Sequence, residues 1–413
     1  MSTKKILPVH ADMNQFSVEH AQLLIGGYTL DGVADILGKQ VFYAYDKSVV
    51  KAQIDLFHKH IPDPIKLHYA IKSNPYLPII NAMRPWVEGF DVASQKEMLL
   101  ALQSGMPSRD ISFAGPSKQL AEIRAAIVSG VTLHIESERE FERAVSIGLE
   151  LNIKAIIAFR VNPAFELKAS GMKMGGGPKQ FGIDEERLFE ILPGLDYSQF
   201  EFRGFHIYWG SQNLKQEAII DAHNNTFALA QKLVDMTPAP TQTVNLGGGL
   251  GIPYFPGEKR LDLAPIGENL IQLLKQYPLL AELELIFELG RFLVAEAGIY
   301  ASRITDIKTS RGHTYLMTNG GLHHHLSNSG NFGQVIRKNY PVAIGNKMGV
   351  APASIKVTAV GPLCTPLDTL ADKMPLPEAE LGDWLVVFQS GAYGPTASPQ
   401  DFLGHPHVSE ILL

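Results

Sequence analysis

Several side chains that could form covalent bonds or move protons stand directly after short apolar runs. Lys72 follows the apolar run 65–71 and precedes Ser73-Asn74-Pro75. These residues stop a strand, because proline cannot donate to a ladder and Asn favours turns. A lysine delivered into a partly dry cleft loses its proton more easily, and its amine can then attack an aldehyde. The alternative is a surface lysine at the end of a strand, so Lys72 needs support from the rest of the chain.

Two further strand ends carry groups that suit an anion and a heterocycle. Gly247-Gly248-Gly249 follows an apolar run, and backbone without side chains lets N–H groups approach a phosphate closely, although a flexible loop is the alternative. Arg291 offers a planar fork for the same phosphate. Glu288 ends another apolar run and needs a partner, which is either Arg291 or the protonated ring nitrogen of a cofactor. A nucleophilic lysine, a phosphate loop and such a carboxylate together describe a pyridoxal 5′-phosphate (PLP) site.

The elements that must position these groups alternate regularly. Eight apolar runs predict strands, and segments of helical period lie between them, which indicates a parallel (β/α)8 barrel. The predicted strands are 66–71, 87–92, 111–114, 131–135, 155–161, 202–208, 243–246 and 284–288. The pattern turns β-rich after residue 298. The expected division is an N-terminal segment, 1–40, packed on a C-terminal β-domain, 299–413, with the barrel over 41–298. The insertion 163–182 is expected to be a substrate or cofactor loop.

Composition excludes some functions. The 413 residues are 45% hydrophobic and carry a net charge of −6, which offers no footprint for nucleic acid or an anionic membrane. No apolar run is long enough for a membrane span or for a signal peptide at the N-terminus. Cys364 is the only cysteine, so no intramolecular disulfide forms and a reducing, cytoplasmic location is expected.

Seven stretches in order resemble the motifs of one enzyme family, the fold type III PLP-dependent decarboxylases of the ornithine/diaminopimelate/arginine group. The stretches are YAIKSN (69–74), GFDVAS (89–94), FHIYWGSQ (205–212), GGG (247–249), ELGR (288–291), GPLCTPLD (361–368) and GAY (391–393). The resemblance spans nearly the whole chain. It implies an alanine racemase-like fold, in which the barrel binds PLP and a β-domain follows it. It also implies a carboxy-lyase that removes the α-carboxylate of an amino acid.

The resemblance assigns roles to matching residues. Lys72 forms the Schiff base with the cofactor, and Cys364 returns a proton after carbon dioxide leaves. Family members are head-to-tail homodimers, so Cys364 and Asp368 would complete the partner's site. The residues expected to bind cofactor are Lys72, Asp91, His206, Tyr208, Ser211, Gly248, Gly249, Glu288, Gly290, Arg291 and Tyr393, and those expected to bind substrate are Asn319, His323 and Asp368.

Departures from the family motifs concern the cofactor ring and the substrate. The histidine expected to stack on the ring is replaced by Tyr208, with His206 two residues earlier on the same face; either could stack, and Tyr208 is favoured. Thr365 replaces a glutamate of diaminopimelate decarboxylases. Their Asp-x-Gly-x-Asn segment reads Asn319 to Asn328 here and lacks the arginine that grips a distal carboxylate. Unpaired distal charges would cost several kcal/mol. The pattern is closer to relatives with carrier-protein-linked substrates or with an exosortase association.

Alternative interpretations remain open at this point. An amino-acid racemase shares the fold, but Glu288 argues for decarboxylation, since racemases place an arginine at the ring nitrogen. A non-catalytic PLP-binding homologue is the second alternative. The triplet His323-His324-His325 could bind metal, but adjacent loop histidines point in different directions. Polar lining of the barrel mouth is therefore expected there, with no metal site.

Overall fold

The computed structural model describes residues 8–165, 172–173, 175–330, 332, 334, 337–353 and 355–413. They divide into two compact units. The first unit contains Ile54–Gly251 and Leu261–Phe292. The second contains the residues up to Gln53, Ile252–Arg260 and Leu293–Leu413.

The first unit is a closed barrel of eight parallel strands, as the alternating pattern predicted. Each strand pairs with the next, and the last pairs with the first through Glu288 opposite His68. The strands are buried on both faces, as expected where helices cover a parallel sheet. They are β1 (Ile65–Ala70), β2 (Gly89–Val92), β3 (Ile111–Phe113), β4 (Thr132–Ile135), β5 (Ile156–Asn162), β6 (Glu201–Ile207), β7 (Thr243–Asn245) and β8 (Glu284–Leu289).

Amphipathic helices connect the strands, and local signals set their ends. The Ser94 hydroxyl accepts from the Glu97 amide at 3.2 Å, and Ser137 does the same for Glu140 at 3.1 Å. Within the described residues, no helix combines the length and apolarity that crossing a membrane needs. The helices are Leu30–Leu37, Lys47–His60, Leu77–Met83, Gln95–Gln103, Leu120–Ser129, Glu138–Leu151, Glu185–Ile191, Gln216–Met236, Ala264–Gln276, Pro278–Ala281 and Arg291–Val294.

The second unit is built on a mixed sheet whose long central strand is Gly298–Ser310. Val41–Tyr45 pairs antiparallel with that strand and parallel with Ser409–Leu412. The other strands of this sheet are His313–Thr318, Val342–Ile344, Val357–Val360, Thr369–Met374 and Trp384–Val387. The short strand Ile183–Asp184 pairs parallel with the end of β5 in the barrel sheet. Shorter strands outside both large sheets are Val18–Glu19, Gln22–Ile25, Tyr28–Thr29, Met172–Lys173 and Gly210–Ser211.

The predicted fold class, a (β/α)8 barrel with a C-terminal β-domain, is confirmed, and two local expectations need correction. The barrel was expected to begin at residue 41, but Val41–Tyr45 belongs to the mixed sheet. Asp31 was expected to be the N-cap of a helix over 31–37, but the helix Leu30–Leu37 is capped by Thr29, whose hydroxyl accepts from the Gly32 amide, and Asp31 lies in its first turn. Asp31 instead accepts from the Trp384 indole N–H at 3.1 Å.

Candidate active site

Lys72 lies in a single 3-10 turn, Ile71–Ser73, that follows β1. Hydroxyl groups fix this turn: Ser73 Oγ donates to the Ala70 carbonyl at 2.9 Å, and the Tyr69 hydroxyl donates to the Asn74 carbonyl at 2.8 Å. A Cβ on Gly290 would meet the Ser73 side chain at 2.9 Å. Gly290 therefore lets the end of β8 pack against the turn that presents Lys72.

Lys72 and Glu288 meet at the C-terminal ends of β1 and β8. Lys72 Nζ lies 3.3 Å from Glu288 Oε1 and 5.6 Å from the centre of the Tyr208 ring. Glu288 is buried, whereas the Lys72 side chain is 41% exposed. The Lys72 amine is thus open to an incoming aldehyde, while the carboxylate is shielded from water. The sequence left Arg291 or a cofactor nitrogen as the partner of Glu288, and the structure places the Lys72 amine beside that carboxylate.

His206 contacts the second carboxylate oxygen. Its Nε2 lies 3.1 Å from Glu288 Oε2, and its ring centre lies 4.5 Å from that of His134 on β4. Burial raises the pKa of the Glu288 carboxyl, but Lys72, His206 and Arg160 outweigh it and hold that pKa well below its usual range. Burial lowers the pKa of His134, and His206 lowers it further. The site therefore keeps an anionic Glu288 beside a neutral His134.

The glycine triplet lies between β7 and β8 at the same end of the barrel. A Cβ on Gly248 would come within 1.9 Å of the Glu288 carbonyl oxygen, and one on Gly249 would meet the Trp209 ring at 2.7 Å. Gly247 has φ +73°, its amide donates to Asn245 Oδ1 at 2.8 Å, and its carbonyl accepts from the Glu288 amide at 2.7 Å. The loop is held tightly, and only glycine fits at Gly248 and Gly249.

The remaining predicted cofactor residues of this unit have defined places. Arg291 begins the short helix after β8. Ser211 lies on Gly210–Ser211, which pairs antiparallel with Met172–Lys173 from the long insertion. Most of the insertion residues 166–174 lie outside the described residues, so the loop prediction for 163–182 is covered only in part. Asp91 is buried on β2, where Oδ1 accepts from the Ser112 hydroxyl and Oδ2 lies 3.7 Å from His68 Nδ1.

Two charged residues at this end of the barrel were missed from the sequence. Arg160 on β5 is buried, and its Nη1 donates to Glu136 Oε1 at 2.8 Å. The guanidinium carbon lies 5.8 Å from the Tyr208 ring centre and 5.0 Å from that of Phe181. Glu136 also accepts from the backbone amides of Gly115 and Gly182. Arg160 is a charge inside an otherwise apolar strand and Glu136 directly follows one, and both are signals that could have found them, because such charges need partners.

In the β-domain unit, Cys364 is exposed on the loop between Val357–Val360 and Thr369–Met374. The buried Asp368 holds that loop: Oδ2 accepts from the Leu363 amide at 2.8 Å and Oδ1 from the Leu322 amide at 2.6 Å. Burial raises the pKa of Asp368, although both amide hydrogen bonds oppose the shift. Within the described chain Asp368 organises the loop that displays Cys364, and its predicted contact with substrate stays a prediction.

The other predicted residues of the β-domain have backbone partners or deep burial. Asn319 Oδ1 accepts from the Arg303 amide and its Nδ2 donates to the Gln40 carbonyl, both at 2.9 Å. Tyr393 has φ +53°, and its carbonyl accepts from Ser327 Oγ at 2.9 Å. Their predicted contacts with substrate and cofactor stay predictions.

The triplet His323-His324-His325 is buried inside the β-domain unit. Burial lowers the pKa values to about 3, 4 and 3, so all three rings are neutral at pH 7. His324 Nε2 lies 2.8 Å from the Pro406 carbonyl oxygen, and His325 Nε2 lies 2.9 Å from Ser390 Oγ. The expected lining of an open mouth is replaced by interior packing, because His324 and His325 find hydrogen-bond partners within their own unit and the His323 ring packs against His324 and His405. The substrate contact predicted for His323 stays a prediction.

Comparisons with known proteins agree with this arrangement. Residues 47–295 match the family model "Pyridoxal-dependent decarboxylase, pyridoxal binding domain". The chain is 34% identical over 381 residues to the L-glutamyl-[BtrI acyl-carrier protein] decarboxylase of Niallia circulans, covering 90% of this chain and 88% of that one. It is 32% identical over 384 residues to the 2-[(L-alanin-3-ylcarbamoyl)methyl]-2-hydroxybutanedioate decarboxylase of Staphylococcus aureus, covering 90% and 93%. The solved structure of diaminopimelate decarboxylase from Helicobacter pylori complexed with L-lysine aligns with a TM-score of 0.80 at 26% identity, covering 92% and 94%.

The chain belongs to the pyridoxal-dependent decarboxylase family. It is a PLP-dependent amino-acid decarboxylase of fold type III, and the racemase alternative is not supported, since the relatives it matches are decarboxylases.

The side chains and backbone at this end of the barrel fit PLP. A partly exposed amine lies 3.3 Å from a buried carboxylate, and a Cβ would collide at both Gly248 and Gly249, so only glycine lets this loop lie so close to β8 and Trp209. When bound, the cofactor supplies an aldehyde for the amine and a ring that accepts the electrons of a breaking Cα bond.

Proposed function

We propose that this decarboxylase removes the α-carboxylate of an amino acid whose distal end is linked to a larger group, with a carrier protein as the first candidate. The observation that supports the reaction is the pair formed by the exposed Lys72 amine and the buried, anionic Glu288 at 3.3 Å. In this proposal Lys72 holds the cofactor, Glu288 holds its ring nitrogen, and Tyr208 covers its ring.

The phosphate of the cofactor is assigned to the glycine triplet and its neighbours. In this assignment the backbone amides of Gly248 and Gly249 bind the phosphate. Arg291 follows β8 and Ser211 comes after β6, and these two strands are the neighbours of β7 in the barrel. Asp91, Gly290 and Tyr393 complete the proposed cofactor residues, with Gly290 acting through the packing of the Lys72 turn.

The substrate class is argued from what the distal end would meet. Diaminopimelate ends in a zwitterion and ornithine in an amine, and the residues that family motifs provide for them are replaced by Thr365 and Asn319. A distal group joined to a larger molecule through a neutral linkage carries no charge that needs those partners. Two relatives support this class, because one is named for a glutamyl group on a carrier protein and the other for an alanine joined through a carbamoyl group to a larger molecule.

We further propose a homodimer in which Cys364 and Asp368 of one subunit complete the partner's barrel site. The exposure of Cys364, the only thiol of the chain, supports this role, since an apolar buried thiol would be inert. Protonation of Cα by Cys364 would end the reaction. A cytoplasmic location is proposed with it, because the thiol must stay reduced, and fractionation of cells tests that location.

The experiment measures carbon dioxide release by the PLP-loaded protein from free diaminopimelate, ornithine, arginine, lysine and carrier-linked glutamate. We expect turnover of the linked substrate and at least tenfold slower turnover of the free amino acids. Lys72→Ala is the control, and it should lose both turnover and the visible absorbance of the bound cofactor. Faster turnover of free diaminopimelate would overturn the substrate class. Bound cofactor without release from any substrate would favour the non-catalytic homologue.

A further inference from the structure

Strand β6 sends His206 and Tyr208 toward Glu288 and Lys72, and the sequence left open which of them meets the cofactor ring. We propose that they have different roles: His206 is a positioning residue that holds Glu288, and Tyr208 is the residue whose ring covers the cofactor. This inference rests on the proposed function, because it assigns Glu288 to the cofactor's ring nitrogen.

The two oxygens of Glu288 face different partners. Oε2 lies 3.1 Å from His206 Nε2, and Oε1 lies 3.3 Å from Lys72 Nζ. The approach of the imidazole is close without being aligned as a straight hydrogen bond, and such contacts tighten when a ligand binds. His206 thus restrains one edge of the carboxylate, so the other edge is presented on the side of the reactive amine.

Burial decides which form of His206 can do this. The side chain is 1% exposed, and within the described residues neither ring nitrogen has an aligned hydrogen-bond partner, although Nε2 lies 3.1 Å from Glu288 Oε2. A doubly protonated ring would bury an unpaired N–H, which is costly. We therefore place the N–H of His206 on Nε2, the nitrogen that faces Glu288 Oε2. In that tautomer His206 can donate to the carboxylate once a bound ligand draws the two groups into line.

Charged and titratable groups surround His206 on several elements. His134 on β4 lies with its ring centre 4.5 Å away, and the Tyr208 ring lies 6.1 Å away. Arg160 on β5 pairs backbone to backbone with His206, and Glu288 lies on β8. Lys72 contacts Glu288 from the turn after β1, and Lys118 donates to the His134 carbonyl. Glu288 is the anion nearest to His206, so loss of the imidazole acts first on that carboxylate.

Tyr208 has a different setting. Its ring is half-buried, with Lys72 Nζ 5.6 Å and Arg160 Cζ 5.8 Å from its centre. The ring therefore borders the amine that would carry the cofactor. A face this close to the amine suits stacking on a planar heterocycle.

The test compares His206→Leu, which removes the donor, with His206→Gln, which restores an N–H at similar reach. We expect His206→Leu to keep bound PLP but to move the acid limb of two pH profiles, kcat and visible absorbance of the bound cofactor, upward by about one unit. The value of kcat should fall about tenfold with KM little changed, and His206→Gln should recover most of both effects. Tyr208→Leu should instead weaken PLP binding about tenfold and leave the acid limb in place.

His223→Phe is the matched control, because His223 is also a buried histidine of this unit and its ring borders Trp209 and Phe287. It should leave the absorbance profile unchanged. If His206→Leu does not fold, His206→Asn, which is too short to reach Glu288, takes its place with the same expected shift. If His206→Leu, or His206→Asn in its place, keeps the acid limb of the wild-type protein, the inference is overturned. Weaker PLP binding without a shift of the acid limb overturns it as well. Wild-type protein that holds no PLP would instead overturn the proposed function on which this inference rests.

Discussion

At the scale of single residues, the backbone of Gly248 lies where no side chain can be accommodated. A Cβ there would sit 1.9 Å from the carbonyl oxygen of Glu288, which is backbone and cannot swing aside. Any larger residue must move either the glycine loop or the end of β8. The glycine loop is assigned to the phosphate, and the end of β8 carries Glu288, which is assigned to the ring nitrogen. The close approach of Gly248 to the Glu288 carbonyl therefore couples these two proposed sites.

Gly248→Ala should therefore weaken PLP binding by at least about tenfold, because overpacking a rigid site costs about 1–3 kcal/mol. Titration of the apoprotein with PLP, followed by visible absorbance, measures this effect. Gly194→Ala is the matched control, since a Cβ there meets nothing within 4 Å. Equal PLP affinity in the two variants would show that the loop does not hold the phosphate.

Single residues were predictable from the sequence where they follow a strand, and less so inside one. Lys72 and Glu288 stand at the ends of apolar runs, and the structure brings them to 3.3 Å. Arg160 and His134 lie inside strands and were missed, and Glu136 was missed although it directly follows β4. Their significance lies in pairing across β4 and β5, and sequence periodicity says nothing about which polar group a given strand neighbour will offer.

At the scale of elements, the loop 361–368 is shaped by one carboxylate. Asp368 accepts the Leu363 amide from within the loop and the Leu322 amide from another segment of the same unit. Cys364 lies between Leu363 and Asp368, which one of these hydrogen bonds joins, and it is exposed. The loop is thus built to display its thiol outward.

Mixing two inactive variants tests whether that thiol serves a second subunit. Lys72→Ala and Cys364→Ala should each be nearly inactive as homodimers. Unfolded together and refolded with PLP, they should recover about a quarter of wild-type activity, because half of randomly formed dimers are mixed and each has one intact site. Carbon dioxide release measures the recovery, and each variant refolded alone is the control. No recovery above the single variants would place Cys364 outside the partner's site.

Elements were predicted well where one strand and its flanking helices define a repeating unit. The eight barrel strands lie within a few residues of the predicted bounds, since each is a short apolar run closed by turn residues. Val41–Tyr45 was read as the start of this series. Its aromatic run fits any buried strand, and only the distant partners Gly298–Ser310 and Ser409–Leu412 decide its sheet. Local pattern cannot specify pairing over such a separation.

At the scale of the whole molecule, both units bury neutral histidines, and this links stability to pH. Burial lowers the pKa of His223 in the barrel to about 3, and that of His325 in the β-domain to about 3. An unfolded chain binds these protons near pH 6.5, whereas the folded chain resists them. Stability is therefore full above about pH 6.5 and is lost as the pH falls toward 3.

We expect the free energy of unfolding to fall by about 1.4 kcal/mol per pH unit for each such histidine below about pH 6. Urea unfolding of the PLP-loaded protein between pH 8 and pH 5 measures the slope. His223→Phe should flatten the slope of the barrel unit, whereas His58→Gln, at an exposed position, should leave it unchanged. Identical slopes for all three proteins would contradict a stabilising role for the neutral imidazole.

The position of Val41–Tyr45 between two strands from much later in the chain has a consequence for biogenesis. This segment emerges from the ribosome early, yet both strands that flank it are synthesised after the whole barrel. Until then its two hydrogen-bonding edges are bare, and an unprotected aromatic strand invites pairing with other nascent chains. Expression at low temperature or with a chaperone that shields extended segments should accordingly raise the yield of native enzyme.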